Sequence, residues 1–204
     1  MAERARVAIL ISGRGSNMSA LLDAARAEDC PHDIALVFSN VAAAEGLAIA
    51  HAQGIATTVL DHRGQDRATF DGKVDALLRD AGVSHVALAG YMRMLSPGFV
   101  ASWQGRMINI HPSLLPSFPG LNTHASALAA GVKIHGCTVH FVTDDLDGGP
   151  IIAQAAVAVR DDDDVASLAA RVLAEEHRIY PPALAALTGG RLRVEGRRVC
   201  SVSR

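Results

Sequence analysis

Apolar positions along the chain fall in short, nearly continuous runs separated by stretches with helical spacing. Arg6 to Ile11, Ile34 to Ser39, Thr57 to Leu60, Val86 to Gly90 and Met107 to Ile110 read as strands. Runs that are continuous rather than alternating belong to strands covered on both faces. Helical patterns lie between them, over Asn17 to Ala27, Ala42 to Gln53 and about Arg67 to Ala81. Such a β-α-β series predicts right-handed crossovers and an open, mostly parallel sheet, with ligands at the carboxyl ends of the strands.

Beyond Ile110 the pattern changes. Prolines at 112, 116 and 119 forbid regular helix or central strand, so a shaped loop is expected before a short helix over Ala125 to Ala130. Ile134 to Thr143 and Ile151 to Val159 are strand-like, and their short acidic connection favours an antiparallel hairpin. Asp161 to Asp164 place carboxylates at the positive end of a helix expected to stop near Tyr180, at Pro181-Pro182. A small hairpin, Arg191 to Val194 and Arg198 to Ser201, turns at Glu195-Gly196. No repeat, low-complexity segment or linker divides the chain. Residues 1–204 are therefore read as one α/β domain with a doubly wound, Rossmann-like sheet. About 1–110 form its β-α-β part, and about 111–204 supply the loop, the hairpin and a closing helix.

Composition narrows the partners. With 204 residues, half of them hydrophobic, the chain can bury a substantial core. A net charge of -2 offers no basic footprint for nucleic acid and no polybasic membrane patch, which leaves a small molecule as the expected ligand. Cys30, Cys137 and Cys200 are odd in number and widely spaced, which excludes a Cys-x-x-Cys zinc ribbon and fits a reducing cytoplasm. The charged start, Met1 to Arg6, precedes an apolar run too short for a signal-peptide core, so a soluble, unprocessed protein is expected.

The densest chemistry is Ile108-Asn109-Ile110-His111-Pro112-Ser113-Leu114-Leu115-Pro116. Residues two apart on a strand share a face, so Asn109 and His111 can address one substrate atom at a strand end, or else simply bond loop backbone. A second cluster, Asp144-Asp145-Leu146-Asp147-Gly148-Gly149-Pro150, is either an ordinary acidic turn or a source of a carboxylate for His111. Its glycines allow positive φ and close backbone approach. Gly13-Arg14-Gly15-Ser16-Asn17 follows the first strand and opens the first helix. Its amide groups suit a phosphate, and the alternative is a glycine turn capped by Ser16. His135 and Cys137 share one strand face while His140 takes the other, which argues against a metal. Arg93 either anchors an anionic ligand or caps local carbonyls.

In the same order, these motifs resemble the folate-dependent glycinamide ribonucleotide formyltransferases. The likeness is carried by Ile11 to Asn17, Phe38-Ser39-Asn40, Ala89 to Pro97, Asn109 to Pro116 and His140 to Pro150, and it extends through Glu176-His177 and Tyr180-Pro181, roughly nine-tenths of the chain. The resemblance implies the formyltransferase fold. It also implies formyl transfer from 10-formyltetrahydrofolate, a cosubstrate, to the amine of 5′-phosphoribosylglycinamide in purine synthesis, without a metal. It assigns catalysis to Asn109, His111 and Asp147. Gly15, Ser16 and Asn17 would take the substrate phosphate and Glu176 its ribose. Arg67, Met92, Arg93, Met94, Leu95, Asn109, Thr143, Asp144, Asp145, Leu146 and Asp147 would surround the folate. A cytoplasmic monomer or homodimer, without nucleic-acid or membrane partners, is expected. The Asn-x-His-Pro-Ser-Leu-Leu-Pro run also occurs in other formyltransferases and in formyltetrahydrofolate hydrolases. Those remain alternatives, as does a noncatalytic nucleotide- or folate-binding module.

Overall fold

Five parallel strands form the first half of the sheet: β1 (Ala5–Ile11), β2 (His32–Ser39), β3 (Thr57–Val59), β4 (His85–Leu88) and β5 (Met107–His111). Their crossovers carry helices α1 (Ser16–Ala24), α2 (Glu45–Ala52), α3 (Arg67–Asp80) and α4 (Pro97–Ser102). This computed structural model describes residues 4–202, so the first half of the charged start and the last two residues lie outside the described part.

After α5 (Thr123–Ala129), β6 (Ile134–Phe141) joins β5 antiparallel, and β7 (Ile151–Ala158) completes the expected hairpin. Helix α6 (Val165–Thr188) then crosses one sheet face, and the hairpin of β8 (Leu192–Glu195) and β9 (Arg198–Ser201) attaches through β9 to β7. The order is β3-β2-β1-β4-β5-β6-β7-β9-β8. Chain direction from β1 reverses between β2 and β4, so a crevice opens at the carboxyl ends of β1 and β4, where ligands settle in open α/β sheets.

Alternate β1 residues point to opposite faces and build two cores. Val7, Ile9 and Ile11 pack with Met18 and Leu21 of α1 and with Leu168, Val172 and Leu184 of α6. Ala8 and Leu10 pack with Phe38, Phe70, Val74 and Leu78, and with Phe99 of α4. Each large side chain so buried contributes ~1.5–3 kcal/mol, which is why these strands read as unbroken apolar runs.

The expected stop of the last helix at Pro181-Pro182 is overturned, because α6 runs through both prolines to Thr188. Each proline removes one i→i−4 hydrogen bond, yet Ala183, Leu184 and Leu187 beyond them are buried. Burial of that apolar stripe outweighs the local cost. Helix α4 was absent from the sequence reading although its signal was present: Ser96 accepts from the Phe99 amide and Pro97 occupies the first turn. Strand β4 ends at Leu88 rather than Gly90, which adopts a φ of 78° and turns the chain.

Candidate active site

Strand β5 ends on His111, and its pairing with β6 sets Asn109 opposite His140 and His111 opposite Thr138. Cross-strand partners share a face, so Asn109, His111 and His140 crowd one end of the sheet. The His140 Nδ1–H donates to the Phe141 carbonyl at 2.9 Å, which leaves Nε2 as acceptor for the Asn109 amide at 3.3 Å. Burial holds His140 below the ordinary histidine pKa, against the opposing pull of the Phe141 carbonyl and Asp147. A neutral imidazole thus orients the amide, with one Asn109 N–H unspent.

His111 is buried, and its Nε2–H donates to the Phe118 carbonyl at 3.2 Å. Nδ1 therefore faces the cleft, 3.6 Å from Asp147 Oδ2. That spacing is an ion-pair distance rather than a hydrogen bond. Asp147 Oδ2 accepts from the Gly120 amide at 2.8 Å, and Oδ1 lies 3.9 Å from His140 Nε2. The proline loop thus grips both groups, one through a carbonyl and one through an amide.

The loop is itself fixed by polar bonds. Thr138 Oγ1 donates to the Ser113 carbonyl at 2.7 Å and accepts from the Leu115 amide, while Gln154 donates to the Leu115 carbonyl. Thr123 donates to the Pro112 carbonyl.

Of the three carboxylates in the β6–β7 turn, only Asp147 points inward. Asp144, Asp145 and Leu146 are exposed, Leu146 at 58%, and Thr143 donates weakly to the Asp145 carbonyl at 3.4 Å. Positive φ falls on Asp147 itself, at 52°, not on the glycines as the sequence reading had it. Gly149 is required by close approach: a Cβ there would collide with the Phe141 carbonyl.

Gly15 caps α1 with a φ of 78°, and a Cβ would stand 2.8 Å from the Cα of Gly46. Its neighbours Ser16 and Asn17 occupy the first turn, whose amides have no intrahelical acceptors. Asn17 Nδ2 donates to Glu176 Oε2 at 2.7 Å, tying the α1 amino end to α6, and Asn17 Oδ1 is buried without a partner. Burial raises the Glu176 pKa, opposed by that Asn17 bond.

The loop after β4 carries Met92, 70% exposed, with Met94 half exposed and Leu95 partly buried. The Met92 amide donates to Ser12 Oγ, which donates to Asn40, so the loops after β1, β2 and β4 are linked. Arg93 folds back over the Phe70 ring at 4.5 Å. Arg67 is exposed in the first turn of α3, and no ion pair or hydrogen bond joins it to the trio among the described residues. Among the described residues there is also no metal-ligand cluster.

The sequence reading missed His140, Phe118 and Gly120 as partners of the trio. Parity alone puts Asn109 and His140 on some face, but only the strand register brings them opposite. Nothing in the loop's letters marks the Phe118 carbonyl or the Gly120 amide.

A doubly wound α/β sheet with its cleft at the reversal point, edged by an amide, an imidazole and a carboxylate, defines the class of open-sheet folds that take their ligands at the strand ends. Residues 5–184 match the family model described as formyl transferase, and the chain belongs to that family. It is 45% identical over 189 residues, 92% of its length and 89% of the relative's, to an Escherichia coli protein named phosphoribosylglycinamide formyltransferase. A human trifunctional purine biosynthetic protein, adenosine-3, is 48% identical over 98% of this chain, which spans about one-fifth of that relative's length. Among solved structures, a glycinamide ribonucleotide transformylase from Symbiobacterium toebii superposes with a TM-score of 0.96 at 46% identity, covering 100% and 96% of the two chains. A formyltetrahydrofolate deformylase from Pseudomonas syringae reaches 0.91 at 28% identity, with this chain covering 67% of it.

Proposed function

We propose that this protein transfers the formyl group of 10-formyltetrahydrofolate to the amine of 5′-phosphoribosylglycinamide, as a cytoplasmic enzyme of purine synthesis whose residues 1–204 act as one formyltransferase domain. The observation that carries the reading is the convergence of Asn109, His111 and Asp147 beside a free helix amino end paired with Glu176. The continuity of the nine strands found among the described residues in one sheet supports the single unit.

Amine attack on the formyl carbon places a negative charge on its oxygen. The unspent Asn109 N–H is positioned to donate to that oxygen, and each such donor is worth about 3–4 kcal/mol of barrier. His111, its Nε2–H already committed, works through Nδ1: this atom gives a proton to the oxyanion or takes one from the ammonium formed by attack. Asp147 stabilises the charged imidazole and offers Oδ1 to a proton travelling from the attacking nitrogen to the departing folate nitrogen. The carbon–nitrogen bond to folate then breaks, giving the formylated amide and tetrahydrofolate. No covalent enzyme intermediate is required.

The amides of Gly15, Ser16 and Asn17 would receive the phosphate at the positive end of α1. Glu176, already bonded to Asn17, would accept from ribose hydroxyls. Met92, Met94, Leu95 and the residues from Thr143 to Asp147 would border the folate. Arg93 would contribute charge, with Arg67 at the outer rim.

The likeness to a deformylase favours one second reading, hydrolysis of the donor by water. Purified protein with 10-formyltetrahydrofolate, followed for folate deformylation with and without 5′-phosphoribosylglycinamide, separates them. Transfer predicts deformylation that depends on the amine and yields one formylated amide per folate released. Equal rates without the amine would establish hydrolysis instead.

A further inference from the structure

Beneath the loop after β4 lies a buried polar cluster that the trio does not use. Asp71 Oδ1, Tyr91 Oη and Arg93 Nε are buried without hydrogen-bond partners. Asp71 is 1% exposed; its Oδ2 accepts from the Ser96 amide at 2.5 Å, and its Oδ1 lies 4.0 Å from Arg93 Nε. This single carboxylate therefore pins the end of the loop and faces its one arginine. From the other side the loop is held by the Met92 amide on Ser12 Oγ.

The arginine is held in turn by three things. Its charge is opposed by Asp71, its plane lies over Phe70 at 4.5 Å, and its side chain is only 16% exposed. Its terminal nitrogens donate to no protein acceptor among the described residues. A guanidinium can face a carboxylate with Nε and still present two terminal nitrogens elsewhere, which an ammonium cannot do. Burial, and after it the Asp71 charge, push the Tyr91 hydroxyl pKa well up.

We propose that Asp71 is a positioning residue for the formyl donor: acting through Arg93, it fixes the guanidinium so that its terminal nitrogens meet an anionic group of the folate. The inference rests on the formyl-transfer reading and adds a residue that touches neither substrate. In a site of low dielectric, an unpaired Arg93 would turn outward into water and lose its fixed orientation over Phe70.

The test compares donor KM and kcat, at saturating amine, for wild type, Asp71→Asn, Arg93→Ala and the double variant. Asparagine retains an acceptor for the Ser96 amide while removing the charge. Asp71→Asn and Arg93→Ala should each raise donor KM by about tenfold, with kcat changing far less, and the double variant should be no worse than Arg93→Ala alone. A formyl donor whose glutamate is replaced by a simple neutral amide, and which therefore carries no carboxylate, should show no KM change on Asp71→Asn. Independent, multiplying effects in the double variant, or a wild-type KM in Asp71→Asn, would overturn the proposal. Should Asp71→Asn fail to fold, Arg93→Lys decides: it should match Arg93→Ala in donor KM, and a wild-type value would overturn the division of labour. Absence of amine-dependent deformylation in the wild type would instead overturn the formyl-transfer reading itself.

Discussion

Burial alone pushes the Glu176 carboxyl pKa upward, and the Asn17 bond only partly offsets it. A ribose hydroxyl donates best to the ionised form, so the phosphorylated substrate should bind more tightly as pH rises through this raised pKa. KM for that substrate should fall across the acid limb, and Glu176→Gln should flatten it; an identical pH profile in Glu176→Gln would remove the residue from the site. Gly15→Val places a branched side chain against Gly46 and Met18 at a φ of 78°, where β-branched residues are strained. It should raise the same KM by about tenfold or more, and an unchanged value would count against a phosphate cradle at α1. At this scale strand parity put Asn109 and His111 on one face, and the acidic turn offered Asp147 as a partner for His111; the structure brings that last pair to 3.6 Å. The sequence could not hold His140 or the Phe118 carbonyl, whose roles arise from register and loop path. Nor could it tell that Arg93 would fold back onto Phe70.

Helix α6 shows what element-level reading loses. Pro181-Pro182 is a sound local stop signal, but the energy that extends the helix lies in contacts of Ala183, Leu184 and Leu187 with the sheet. Pro182 is exposed, so replacing it restores one backbone bond without opening a cavity. Pro182→Ala should stabilise the fold by about 1–3 kcal/mol, visible as a Tm several degrees higher in thermal unfolding. A lower Tm would mean that the proline fits its turn better than a regular helix does. The strands and the β6–β7 hairpin were legible because covered strands leave unbroken apolar runs and the connection is short. Six-residue α4 was not, since it is too short to show a helical period.

Across the whole molecule, the amino end of β2 is joined to the end of α6 by His32, whose Nδ1 lies 2.9 Å from Thr188 Oγ1. Burial lowers the His32 pKa from 6.5 to about 4. The folded-state pKa lies below the unfolded one, so the unfolded chain binds the extra proton first. Stability is then full above pH 6.5 and is lost as pH falls toward about 4, by about 3 kcal/mol from this group. Denaturant unfolding at pH 7 and pH 4.5 should show a loss that His32→Gln reduces; an equal loss in both proteins would exclude His32 as its source.

The sheet delivers β1, β4 and β5 ends to one crevice, and the hairpin brings Asp147 to 3.6 Å from His111. Everything in the proposed chemistry depends on that meeting. With 10-formyltetrahydrofolate and 5′-phosphoribosylglycinamide both saturating, Asp147→Asn should lower kcat by about 10²- to 10⁴-fold while KM for the phosphorylated substrate stays within about twofold. Turnover near the wild-type rate in Asp147→Asn would contradict the mechanism.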